Sequence, residues 1–131
     1  MRGEDSMKKE IRVKNAPPPA GPYSQALHSG NRIYVAGQRP SDPITGEFPE
    51  GIDAQSRQVL ENIKTILEAA GATMDDVVKS SVYLADLDNF QAFNAVYKDF
   101  FNPPYPVRTT VGCMLRGGMM VEMDVIAELD E

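Results

Sequence analysis

The sequence predicts a single α+β domain in which a mixed sheet carries two helices on one face. Three observations predict it. Two stretches repeat apolar residues with the 3.6-residue period of a helix, several shorter ones alternate apolar and polar residues as strands do, and the two kinds are interleaved along the chain. A length of 131 residues suits one two-layer core and is too short for two.

Ordered structure is expected from near Ile11, as one domain over residues 11–131. Residues 1–10, with a second methionine at Met7 followed by Lys8-Lys9, read as a disordered leader or an expression remnant. Pro17-Pro18-Pro19-Ala20-Gly21-Pro22 is too rich in proline for a helix or a central strand, so it runs extended and delivers Tyr23 in a restricted position. Ser24–Leu27 and Arg32–Gln38 then form a hairpin across Gly30-Asn31, with Ile33 and Val35 toward the core and His28 exposed at a strand end. Residues 39–52 are a loop, marked by Asp42-Pro43 and Thr45-Gly46.

Asp53 is expected to cap a helix reaching Ala70, with Val59, Ile63, Ile66, Leu67 and Ala70 as its apolar stripe and Gly71 as its stop. Asp76–Leu84 reads as a strand, with Val78, Val82 and Leu84 on one side and Lys79, Ser81 and Tyr83 on the other. A capping-box spacing at Asp88-Asn89-Phe90-Gln91 opens a second helix that runs to Phe101 before Asn102-Pro103-Pro104 ends it. Phe90, Phe93, Tyr97 and Phe100 form its core stripe. Asn94 falls on the same stripe, as a tether to a loop or as part of a site, because a buried amide left unbonded costs about 1–3 kcal/mol.

Pro106–Glu128 reads as two strands joined by Arg116-Gly117-Gly118. Parity puts Val107, Thr109, Val111, Cys113 and Leu115 on one side of the first, and Val121, Met123, Val125 and Ala127 on one side of the second. If both apolar sides face one core, Arg108 and Glu122 share the opposite face and Cys113 is buried. A cation and a carboxylate placed so also serve solubility alone. Tyr34, Ser81, Tyr83, Thr110 and Met120 join them on a face too apolar for open water and too polar for a dry core, which implies a closed symmetric oligomer.

Composition excludes several classes of function. A net charge of −6 disfavours a nucleic-acid backbone as partner. One histidine and one cysteine, far apart, offer no metal-ligand spacing and no intrachain disulfide. No apolar run approaches the roughly 20 residues of a membrane span, and no signal-peptide pattern opens the chain, so a cytoplasmic protein is expected.

Ala20-Gly21-Pro22-Tyr23-Ser24-Gln25, Ala36-Gly37-Gln38, the aromatic helix with Asn94, Pro106-Val107-Arg108 and Val121-Glu122-Met123 together resemble the RidA (YjgF) family of imine deaminases. The resemblance is an ordered set of motifs over nearly all of Ile11–Glu128. It implies a chorismate-mutase-like subunit, related to the ferredoxin-like folds, forming a homotrimer with clefts between neighbours. The implied reaction is hydrolysis of reactive enamine and imine intermediates, of the 2-aminoacrylate type, to 2-oxo acids and ammonia, with no cofactor.

Carried over from the family, Arg108 binds the substrate carboxylate, for which a planar guanidinium offers two parallel hydrogen bonds. Glu122 positions water, Tyr23 lines the cleft, Gly37 offers backbone contact, Thr110 its carbonyl, and Asn94 belongs to the substrate site. Burial would raise the Glu122 pKa and a nearby Arg108 would lower it. Ala36 stands where many members have serine, and Thr110 where many have cysteine. The same cleft also fits a non-catalytic sensor of 2-oxo acids or amino acids, or a deaminase of an aminomuconate-like compound. Two more distant readings are an endoribonuclease, disfavoured by the acidic chain, and a redox-regulated chaperone, disfavoured by a buried Cys113.

Overall fold

The computed structural model describes residues 8–130. Along it run β1 (Lys8–Ile11), β2 (Ala26–Ser29), β3 (Arg32–Gln38), α1 (Ile52–Ala69), β4 (Val77–Leu84), α2 (Phe90–Tyr97), β5 (Val107–Gly112) and β6 (Val121–Glu128). The strands make one six-stranded sheet of order β1-β2-β3-β6-β4-β5. All neighbours are antiparallel except β4 and β5, so the sheet is mixed and the α+β reading holds.

Both helices cover one face of this sheet. Val59, Leu60, Ile63, Ile66 and Leu67 of α1 meet Ile33 and Val35 of β3, Val82 and Leu84 of β4, and Val121, Met123, Val125 and Ala127 of β6 in one core. Phe93, Val96 and Tyr97 bring α2 into it. Each such side chain fully removed from water contributes roughly 1.5–3 kcal/mol, which is why the helical stripes, more than any cap, decide where the helices lie.

Several boundaries differ from the sequence reading. β1 begins at Lys8 and pairs with β2, so residues 8–10 belong to the sheet; the rest of the expected leader, residues 1–7, lies outside the described residues. The hairpin strand is Ala26–Ser29, turning at Gly30 with φ 62°, and His28 is half-buried. The N-cap of α1 is Gly51, at φ 92°, and Asp53 sits inside the first turn, where its charge faces the helix dipole. Asp86 rather than Asp88 caps the turn before α2: its Oδ1 accepts from the Asp88 N–H at 2.9 Å over the short 3-10 turn Leu87–Asn89. α2 itself ends at Tyr97.

Two differences bear on the site. In β4 the register slips between Val77 and Lys79, so Val77 is buried and Val78 is 42 % exposed, the reverse of simple alternation. Ser80 takes the inward place and shares a 2.8 Å hydrogen bond with the Tyr97 hydroxyl. The last two strands are also not a hairpin: β4 lies between β6 and β5. The connection from β5 to β6 crosses the end of β4, held where the Cys113 N–H donates to the Leu84 carbonyl and the Ala85 N–H to the Met120 carbonyl, both at 3.0 Å.

Candidate functional site

The parallel pairing of β5 with β4 decides where Arg108 points. Arg108 is the register partner of Ser80, whose side chain faces α2, so the Arg108 side chain also lies on the helix side. Its guanidinium carbon stands 4.7 Å from the centre of the Tyr97 ring, 5.5 Å from Phe90 and 5.6 Å from Phe93. Its Nη2 donates to Asn94 Oδ1 at 2.7 Å. Asn94 thus ties α2 to β5 through Arg108 rather than tethering a loop. Among the described residues Arg108 forms no ion pair. A cation stacked on aromatic faces and bonded to a neutral amide is oriented without being neutralised.

Beside it lies a groove of about 320 Å³ lined by Asn94, Tyr97, Lys98, Tyr105, Pro106 and Arg108. Burial raises the pKa of the Tyr97 hydroxyl, partly offset by the bond to Ser80 and by the Arg108 charge. Thr110 also belongs to the helix side of β5, paired with the buried Val82. Its Oγ1 is enclosed without a hydrogen-bond partner, a polar group that a thiol in that place would not introduce.

Glu122 is on the other face. It pairs with Tyr83, one step out of phase with the inward residues of β4 and β6. Arg108 and Glu122 therefore do not share a face within one chain, contrary to the simple parity expectation. That expectation took Val107 and Val111 as core residues. Both lie on the open face, 67 % and 41 % exposed, because β5 is an edge strand whose inward places are held by Arg108 and Thr110. Cys113, beyond the end of β5, is exposed rather than buried.

Around Glu122 the strands supply a second cluster. The β3–β6 register slips between Val35 and Gln38, so the Ala36-Gly37 stretch forms a bulge against β6. The Glu122 carboxylate lies against Gly37 at that bulge. Its pKa is raised, first by burial and next by the Asp124 carboxylate; the opposing cation is Arg39, not Arg108. The Tyr83 hydroxyl donates to Asp124 Oδ2 at 3.2 Å, and burial with Asp124 raises its pKa too. Arg39 in turn donates from Nη2 to the Pro18 carbonyl at 3.0 Å, fastening the proline-rich segment to the end of β3. Tyr23, 46 % exposed, belongs to that segment and its hydroxyl accepts from the Ala20 N–H at 3.1 Å.

The sequence-predicted residues thus fall into two groups separated by the sheet, Arg108, Asn94 and Thr110 on one side and Glu122 and Gly37 on the other, with Tyr23 in the loop that Arg39 anchors. The sequence reading missed Arg39, Asp124 and the aromatic bed beneath Arg108. For the bed the signal was present, since Phe90, Phe93 and Tyr97 recur with helical spacing on one stripe with Asn94. Among the described residues no three His, Cys, Asp or Glu side chains are grouped so as to hold a metal ion, and no helix is long and apolar enough to cross a membrane.

The chain is similar to known proteins along most of its length. A family model described as Endoribonuclease L-PSP matches residues 13–129. A RutC family protein of Pyrococcus horikoshii is 49 % identical over 123 residues, covering 92 % of this chain and 98 % of that one. The 2-iminobutanoate/2-iminopropanoate deaminase of Escherichia coli is 42 % identical over 125 residues, covering 92 % and 98 %. The crystal structure of RidA from an Antarctic Psychrobacter superposes with a TM-score of 0.90 at 43 % identity, over 92 % of this chain and 99 % of that one. By sequence along nearly its whole length, and by the close superposition of its fold, this chain belongs to the RidA (YjgF) family.

Proposed function

We propose that this protein is a hydrolytic deaminase of small 2-imino acids, converting them and the enamines in equilibrium with them to 2-oxo acids and ammonia. It works in the cytoplasm as a homotrimer, each cleft joining the Arg108 side of one copy to the Glu122 side of the next. The observation that carries this reading is Arg108: a half-buried guanidinium, fixed by three rings and one amide and forming no ion pair among the described residues, is built to take a carboxylate. The name of the Escherichia coli relative, 2-iminobutanoate/2-iminopropanoate deaminase, supports the choice of substrate.

The chemistry asks little of the protein, since an imine already reacts with water and mainly needs holding and a placed nucleophile. Arg108 holds the substrate carboxylate. Glu122, whose pKa is raised by burial, accepts a proton from the attacking water as the water oxygen bonds to C2 of the protonated imine. It then passes that proton to the amine. The C–N bond breaks, ammonia leaves, and the remaining hydroxyl becomes the carbonyl of the 2-oxo acid as its proton goes to solvent. Ala36 offers no hydroxyl to the bulge, which leaves the backbone there and Glu122 as the polar groups.

The test is to generate 2-iminopropionate or 2-iminobutyrate in situ and follow 2-oxo acid release. Arg108→Ala is expected to lower the catalysed rate by about 10²-fold or more. Equal rates for the two proteins would overturn the assignment. Saturable binding of a 2-oxo acid with no rate acceleration by the wild type would favour a metabolite sensor instead, and acceleration confined to an aminomuconate-like substrate would favour a specialised deaminase.

A further inference from the structure

Glycine at position 37 is not explained by backbone conformation. The chain has glycines at positive φ where turns demand them, Gly30, Gly46, Gly51, Gly71, Gly117 and Gly118, and Gly37 is not among them. What singles it out is its neighbour. A Cβ built on Gly37 would overlap Glu122 Oε2 and stand 3.2 Å from the Glu122 carboxyl carbon. Real Cβ atoms do not tolerate the first of these contacts, so any side chain here forces the carboxylate, or the bulge beneath it, to move.

We propose that Gly37 is a positioning residue: by lacking a side chain it opens the space in which the Glu122 carboxylate rests on the β3 bulge, and so fixes where that carboxylate meets water. Its effect on turnover rests on the reading of Glu122 as the proton acceptor; the steric relation does not. The groups facing Glu122 are Asp124 on its own strand, Tyr83 on β4 and Arg39 at the end of β3. None of them could hold the carboxylate against the bulge if a methyl occupied that space. A displaced carboxylate would turn toward solvent and lose the desolvation that now disfavours its charge.

Two measurements on the intact protein test this. In a crystal structure of Gly37→Ala the Glu122 carboxylate should be displaced from the β3 bulge toward solvent. This arm needs no activity, so it stands whether or not imines are the substrate. In the second, the acid limb of the pH–rate profile for imine hydrolysis should move to lower pH in Gly37→Ala, and Gly37→Ala should add little to the loss already caused by Glu122→Gln. A Glu122 carboxylate that kept its place on the bulge in Gly37→Ala would overturn the positioning role. So would full additivity of the two substitutions in rate, which would make Gly37 an independent contact for the ligand.

Discussion

The surroundings of Glu122 disfavour its charged form. Burial and the Asp124 carboxylate both raise its pKa, so the folded protein holds its proton more tightly than the unfolded chain does. As pH rises from about 4.3 through the raised folded value, the unfolded state releases its proton first and stability falls. Glu122→Gln should therefore raise Tm at neutral pH, by about 1–2 °C because half of the group still meets water, with no gain at a pH well below 4. A pH series of melting curves for the two proteins checks this; a gain that grew toward acid pH would have the wrong sign. Asn94 makes a companion case. Removing its amide in Asn94→Ala releases one side of Arg108 and, if the proposed deaminase activity holds, is expected to raise KM for the imine by about tenfold in steady-state assays, while the stacked rings keep the charge in place.

At the level of elements, buried amides join pieces that the apolar pattern leaves apart. Asn62 on α1 donates to the Arg39 and Ser41 carbonyls at 3.1 and 3.0 Å, and Gln55 on the same helix donates to the Pro49 and Gly118 carbonyls and accepts from the Met120 N–H. Asn62→Ala would strand both carbonyls and is expected to cost about 2 kcal/mol, read as a drop in the urea midpoint at unchanged slope. The helices themselves were legible, because Val59, Ile63 and Ile66 recur with one period and Gly71 ends it with a positive φ. The β4 slip was not: nothing in Val77-Val78 says which valine is buried, and only pairing with Ala127 and Ile126 decides it. The place of β5 was hidden for a similar reason. Val107 and Val111 alternate as core residues would, yet a strand can bury its apolar side against another subunit as well as against its own helices. Arg108 and Glu122 were thus expected on one face, and strand pairing puts them on opposite faces of the sheet.

At the scale of the whole molecule, the open face of the sheet explains that mistake. Val107, Val111, Tyr34 and Tyr83 share it with Glu122, Asp124 and Lys79, a mixture suited to contact with further copies of the chain. Sedimentation should give a mass of three chains, and Val107→Asp should shift it toward one.

The sheet that parts Arg108 from Glu122 has a further consequence, and it is genetic in form. On the proposed trimer, a chain carrying Arg108→Ala and a chain carrying Glu122→Ala should each be inactive and lack different halves of the cleft. Unfolded and refolded together, they should rebuild clefts in which an intact arginine from one chain faces an intact glutamate from the other. Random assembly of equal amounts restores about one quarter of the wild-type sites. Each variant refolded alone restores none, and a cleft built within a single chain would show no such rescue.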